Sequence, residues 1–190
     1  MPSAPKAKVR LPAEPIAEGS TALRPWREGD IPAIVEACQD PEIPRWTRVP
    51  HDYGESDARA YMLSRYDAIL NATGAPFAIV SATDLEELLG SISLFRFSWP
   101  NLRGEVGYWL AQPARGHGHA TRAVRAICRW GFDTLGLGRI DLLAATGNPA
   151  SQHVAERCGF TREAVLRSYM SVKDGRQDMV AFGLLRGEVE

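Results

Sequence analysis

The chain has 190 residues, 45% of them hydrophobic and 24% charged, with 22 Lys plus Arg against 23 Asp plus Glu and a formal net charge of -1. A chain of this size can bury roughly 70% of the surface its unfolded form exposes, so a stapled mini-protein is excluded. The near-zero charge offers no general attraction to phosphate backbones or anionic lipid, so neither nucleic-acid nor membrane-surface binding is expected.

Residues 1–20 carry Pro2, Pro5, Pro12 and Pro15 and no apolar run that would serve as a signal peptide, and they read as a flexible tail. Ala22–Trp26 is a short strand candidate. Asp30 followed by Pro32 reads as a helix start, with Asp30 as the cap, running to about Ala37. A proline-rich connection carries Trp46 and His51, until Ser56 opens a second helix in which Met62, Leu63, Tyr66, Ile69 and Leu70 recur at helical spacing. Phe77–Ser81, Gly90–Phe97 and Glu105–Ala111 are rich in β-branched and aromatic residues and read as an antiparallel meander. A helix after His119 buries Ala120, Val124, Ile127, Cys128 and Gly131, with Arg122, Arg125 and Arg129 as its solvated face. Ile140–Ala145 makes another strand. Asn148 and Pro149 open a short helix that stops at Gly159, and the strands Phe160–Met170 and about Gln177–Leu185 flank a turn at residues 173–176. Cys38, Cys128 and Cys158 are far apart and odd in number, which suits reduced thiols in a cytoplasmic compartment. No stretch approaches the length of a transmembrane helix, and no linker divides the chain.

Arg115–Thr121 joins the third meander strand to a helix through Gly116 and Gly118. Such a bend aims several backbone amides one way, and the positive end of the helix dipole adds to them, so a diphosphate is a natural occupant. A tight turn alone also explains the two glycines. A Walker loop is excluded because no Gly-Lys-Ser/Thr ending is present. A dinucleotide fingerprint is disfavoured, since Thr121 takes its third glycine position and the loop follows a meander rather than opening a βαβ unit.

Arg115, Gly118 and Ala120 match the Gln/Arg-x-x-Gly-x-Gly/Ala motif of the GCN5-related N-acetyltransferases (GNAT), and the chain resembles their RimJ/RimL-like branch from Leu23 to Leu185. Gly107-Tyr108-Trp109-Leu110, Asn148-Pro149-Ala150-Ser151, Cys158-Gly159-Phe160 and an acidic Asp178 before the last strand carry the same likeness. The resemblance implies a single α/β domain over residues 21–187: a mixed, mostly antiparallel sheet splayed in the middle, flanked by about four helices. It implies acetyl-CoA or another acyl-CoA as cosubstrate, and direct attack of a primary amine, such as a protein N-terminal α-amine, on the thioester. The diphosphate would be held by Arg115, Gly116, His117, Gly118, His119, Ala120 and Thr121, with Asn148 as a further contact. An amide near Leu110 would polarise the thioester carbonyl.

In that family a serine or tyrosine of the short helix faces the sulfur, which makes Ser151 the candidate donor to the departing thiolate. Asn148 is equally a helix cap, and Ser151 equally an ordinary first-turn hydroxyl. Glu105 is the candidate base, and equally a solvated strand carboxylate. The glutamate that RimL-like enzymes can carry ten residues after the Gly-Phe pair is Met170 here. An α-amine, with a pKa of about 8 against about 10.4 for lysine, has less need of a base. His117 and His119 lack a third partner for metal and are expected to flank the diphosphate. Trp46, His51, Tyr53 and Trp99 are candidates for an acceptor pocket. A possible homodimer is expected from the resemblance alone, and the alternative to an enzyme is a noncatalytic acyl-CoA binding or sensing module.

Overall fold

The computed structural model describes residues 9–172 and 175–189. The expected turn at residues 173–176 is therefore described only from Gly175 onward, and residues 1–8 of the expected tail lie outside the described residues.

Eight strands form one sheet: β1 (Ile16–Glu18), β2 (Thr21–Arg24), β3 (Gly74–Ser81), β4 (Leu88–Ser98), β5 (Arg103–Leu110), β6 (Arg139–Ala145), β7 (Thr161–Val172) and β8 (Gly175–Leu185). Their spatial order is β1-β2-β3-β4-β5-β6-β8-β7. Every pairing is antiparallel except β5 with β6. The helices are α1 (Ile31–Ala37), α2 (Glu42–Trp46), α3 (Glu55–Leu70), α4 (His119–Asp133) and α5 (Pro149–Arg157). Among the described residues there are thus five where about four were expected, because the proline-rich connection contains α2. Pro41 and Pro44 do not prevent it, since one lies at the cap and the other in the first turn.

Strand alternation sends successive side chains to opposite faces of the sheet and so builds two cores. Phe77, Ile79, Ile92, Leu94, Val106, Leu142 and Phe182 pack beneath α4 and α5. Ala22, Ala78 and Val80 pack beneath α1, α2 and α3 with Ile34, Ile43, Tyr53 and Met62. Gly131 lets α4 approach closely, since a Cβ there would lie 2.7 Å from Leu94 Cδ1.

Three local expectations change. Residues 9–20 are not a loose tail: Val9 is buried and β1 pairs with β2, Ile16 opposite Leu23. The arginines of α4 are not simply solvated, because Arg129 binds Glu18 (2.7 Å), Arg122 binds Thr21 Oγ1 (2.9 Å) and Arg125 donates to the Arg157 carbonyl (2.6 Å). They tie α4 to the β1–β2 hairpin and to α5. Asp30 does not cap α1. Its carboxylate is buried in a two-pronged pair with Arg24 (2.9 and 2.7 Å) and accepts the Arg27 N–H (2.8 Å).

Candidate active site

β5 and β6 pair only from Arg103–Val106 against Arg139–Leu142. Beyond that point β5 stays with β4 and β6 stays with β8, so the two strands part. The ladder between β4 and β5 sets which backbone groups face the gap. Ala111 N–H donates to Leu89 C=O (2.9 Å). Antiparallel alternation therefore turns both polar groups of Leu110 away from β4, toward the opening. The Leu110 carbonyl is already met there by the Arg115 guanidinium (2.9 and 3.2 Å), which also pairs with Asp40 at 2.5 Å. Arg115 thus secures the end of β5 rather than reaching into the loop, contrary to the expected charge contribution. The Leu110 N–H remains aimed into the gap.

The loop has the conformation that its glycines permit, with φ of +81° at Gly116 and +76° at Gly118. Gly118 stands at the N-cap of α4 and supplies no side chain, so the first-turn amides of a 15-residue helix have no side-chain partner. This cradle and the adjoining parted strands fit a diphosphate followed by an extended amide-bearing arm. Arg115, Gly116, Gly118, His119, Ala120 and Thr121 line the cleft. His117 does not. It is exposed, and its carbonyl accepts from Arg122. The His119 ring turns toward the start of β2, where Nδ1 meets Thr21 Oγ1 at 2.8 Å. Burial first, and then the nearby Arg122 charge, push its pKa below the usual histidine value. Among the described residues no three His, Cys, Asp or Glu side chains cluster as a metal site.

Across the gap, Asn148 caps α5 by accepting the Ser151 N–H (3.1 Å), and Ser151 Oγ lies 3.1 Å from Tyr108 Oη. Tyr108 shares the strand parity of Leu110, so its ring passes to the α5 side of the sheet. Burial pushes its pKa up to about 12, with the Ser151 hydrogen bond acting in the opposite sense. The Gly107–Leu110 run by itself gives Tyr108 no part. The period-two alternation of β5 was the available signal.

Glu105 lies on the opposite side of β5, facing α3. Its carboxylate is 15% exposed and paired with Arg96 at 2.9 Å, so it is not a solvated strand carboxylate. Arg96 sits at an irregularity between Phe95 and Ser98 with φ of +53°. Met170 lines the cleft. Asp178 lies within β8 rather than before it, and accepts the Ser168 N–H (2.7 Å) at the β7 irregularity between Leu166 and Met170. The whole opening forms a continuous cleft of about 1430 Å³. Trp46 and Tyr53 line it, whereas His51 and Trp99 do not. Trp99 instead packs on Phe97 and donates to the Ala72 carbonyl (2.9 Å).

The family model described as an acetyltransferase (GNAT) domain matches residues 21–161. YdaF of Bacillus subtilis, provisionally named a ribosomal N-acetyltransferase, is 30% identical over 187 residues, covering 98% of this chain and 90% of that protein. YoaA of the same organism, an uncharacterised N-acetyltransferase, is 33% identical over 148 residues, 78% of this chain and 83% of its own length. Among solved structures, RimJ of Mycobacterium smegmatis in complex with a CoA disulfide superposes with a TM-score of 0.78 at 20% identity, over 87% of this chain and 82% of its own. Spermidine N-acetyltransferase of Vibrio cholerae, in complex with CoA and spermine, gives 0.76 at 21% identity over 90% and 98%. At these identities the two structures bear on the fold alone. With the family match over most of its length and a cleft of the right form, the chain belongs to the GNAT acetyltransferases, and its activity is N-acetyl transfer with acetyl-CoA as cosubstrate.

Proposed function

We propose that the acceptor is a protein N-terminal α-amine, and that it attacks the thioester directly, with no metal and no covalent enzyme intermediate. The observation that carries this reading is the convergence on one opening of the Leu110 N–H, the Ser151–Tyr108 hydroxyl pair and the uncapped amides of the loop. In this reading the backbone of residues 115–121 holds the diphosphate, and Asn148 orders the first turn of α5 beside it. The Leu110 N–H meets the carbonyl oxygen as it gains negative charge.

Ser151 gives its proton to the departing thiolate and is reprotonated from water, its hydroxyl held in place by Tyr108 Oη at 3.1 Å. Glu105 receives the ammonium proton, directly or through water. Its carboxylate is held beside the acceptor side of the cleft by Arg96 (2.9 Å). That arrangement suits an α-amine, already partly neutral near pH 7, better than a lysine. The acyltransferase unit spans residues 21–187 with residues 9–20 packed on it. The three free, buried cysteines support a cytoplasmic location. The RimJ/RimL-like resemblance supports a homodimer.

The test is release of CoA from acetyl-CoA and succinyl-CoA against a panel of peptides, amino acids and polyamines. Peptides with a free α-amine should turn over, and the same peptides with a blocked N-terminus should not. Binding of CoA without turnover of any amine would replace this reading with a noncatalytic acyl-CoA module.

A further inference from the structure

On the sheet face covered by α1–α3, the cleft continues as a groove. Ser91, Glu105 and Trp109 form its floor, Tyr61 and Arg65 of α3 form one wall, and the exposed Arg48 follows α2. Tyr61 Oη is fixed by Ser91 Oγ (2.7 Å), which holds the helix against the floor.

The charges along this groove are unevenly satisfied. On this face its carboxylates are Glu42, Asp57 and Glu105, while Glu156 lines the cleft from α5. Glu42 accepts from Trp46 Nε1 and Arg45 (both 2.9 Å), Asp57 accepts the Gly54 N–H (2.9 Å), and Glu105 pairs with Arg96 (2.9 Å). Arg65 lies 4.5 Å from the Tyr61 ring centre and, among the described residues, its side chain hydrogen bonds only to the Ser64 hydroxyl, at 3.2 Å. Among the described residues, neither Arg65 nor Arg48 is in an ion pair. A half-buried guanidinium stacked on a fixed ring keeps its fork of donors pre-oriented, and this suits a carboxylate more than water.

We propose that the acceptor carries a carboxylate near its reacting amine, and that Arg65 is the residue that selects it. The occupant we infer is a peptide N-terminus followed at once by acidic residues. Its carboxylate docks on Arg65 while the amine lies toward Glu105. A polyamine is disfavoured by the same groove, because every carboxylate on the face covered by α1–α3 is engaged and two cations line it. The inference deepens the acyl-transfer reading and rests on it.

The experiment compares kcat and KM with acetyl-CoA for three otherwise identical peptides. Their second and third residues are Asp-Glu, Ser-Ala or Lys-Lys, and free aspartate and spermidine are included. The acidic peptide should exceed the neutral one in kcat/KM by about tenfold or more, mainly through KM, as expected for one charge-assisted hydrogen-bonded pair. Arg65→Ala should abolish the difference between acidic and neutral peptides, Arg65→Glu should reverse it in favour of the basic peptide, and Arg65→Lys should retain part of it. Free aspartate surpassing the acidic peptide would support the carboxylate selection and assign it to a free amino acid. Equal turnover of the three peptides, preference for spermidine, or an acidic preference that survives Arg65→Ala would each overturn the inference while leaving acyl transfer intact. Absence of release with any amine, in protein that binds acetyl-CoA, would overturn both.

Discussion

Replacing each loop glycine by alanine separates backbone strain from loss of the anion cradle. At Gly116 (φ +81°) a Cβ would meet nothing within 4 Å, so Gly116→Ala carries only the left-handed backbone penalty of about 1 kcal/mol. At Gly118 (φ +76°) the Cβ would also lie 3.0 Å from Arg122 Nη1. That guanidinium is held by Thr21 Oγ1 (2.9 Å) and the His117 carbonyl (2.6 Å), so it cannot simply swing aside. Gly118→Ala should therefore cost about 2 kcal/mol or more, read by urea denaturation of the free protein. If the loop amides grip the diphosphate, moving the N-cap backbone should weaken CoA by about tenfold, the loss of roughly one hydrogen bond to a charged group. Calorimetric titration with CoA and with pantetheine, which lacks the diphosphate, supplies the control. Only CoA should weaken. Unchanged CoA affinity in Gly118→Ala, or an equal loss for pantetheine, would refute the assignment of the loop.

The remaining predictions concern the interior. Ser151→Ala should lower kcat by about 100-fold with little change in KM, in the range of a lost proton donor, and unaltered single-turnover rates would remove Ser151 from the reaction. Asp30→Ala leaves the Arg24 guanidinium buried, with a side chain only 1% exposed, and without its carboxylate; it should destabilise the protein by about 3–5 kcal/mol in denaturant titration. Because the folded chain keeps the Tyr108 proton up to about 12 while the unfolded chain releases it near 10.0, the phenol contributes stability that is fully present below pH 10 and fades as pH rises from about 10 toward 12. Tyr108→Phe should flatten that part of the stability profile, and an unchanged slope there would count against the burial of this hydroxyl as its cause.

Much of this molecule is legible in one dimension because its signals are local. The meander strands show their alternation, the bend at residues 115–121 declares itself by two glycines, and Asn148-Pro149 marks the start of α5 by capping chemistry alone. The ordered motifs around them suffice for the family and for the parted sheet. What stays hidden depends on partners far along the chain. Asp30 has the sequence of a cap, and it becomes a buried ion partner only because Arg24 is held in place by the Leu85 carbonyl, 61 residues away. Residues 9–20 have a tail's composition, yet β1 is ordered by pairing with β2 and by Arg129, 111 residues away from Glu18.

The same reason governs the site. The family resemblance nominates Ser151, Leu110 and Glu105. Only the register of β5 against β4 sends Leu110 and Tyr108 to one side and Glu105 to the other, and Tyr108 meets a hydroxyl 43 positions further along the chain. Identity at a position is fixed by the chain, but the direction in which a backbone amide or a carboxylate points is a property of the ladder that holds it, and that ladder exists only once distant strands have paired.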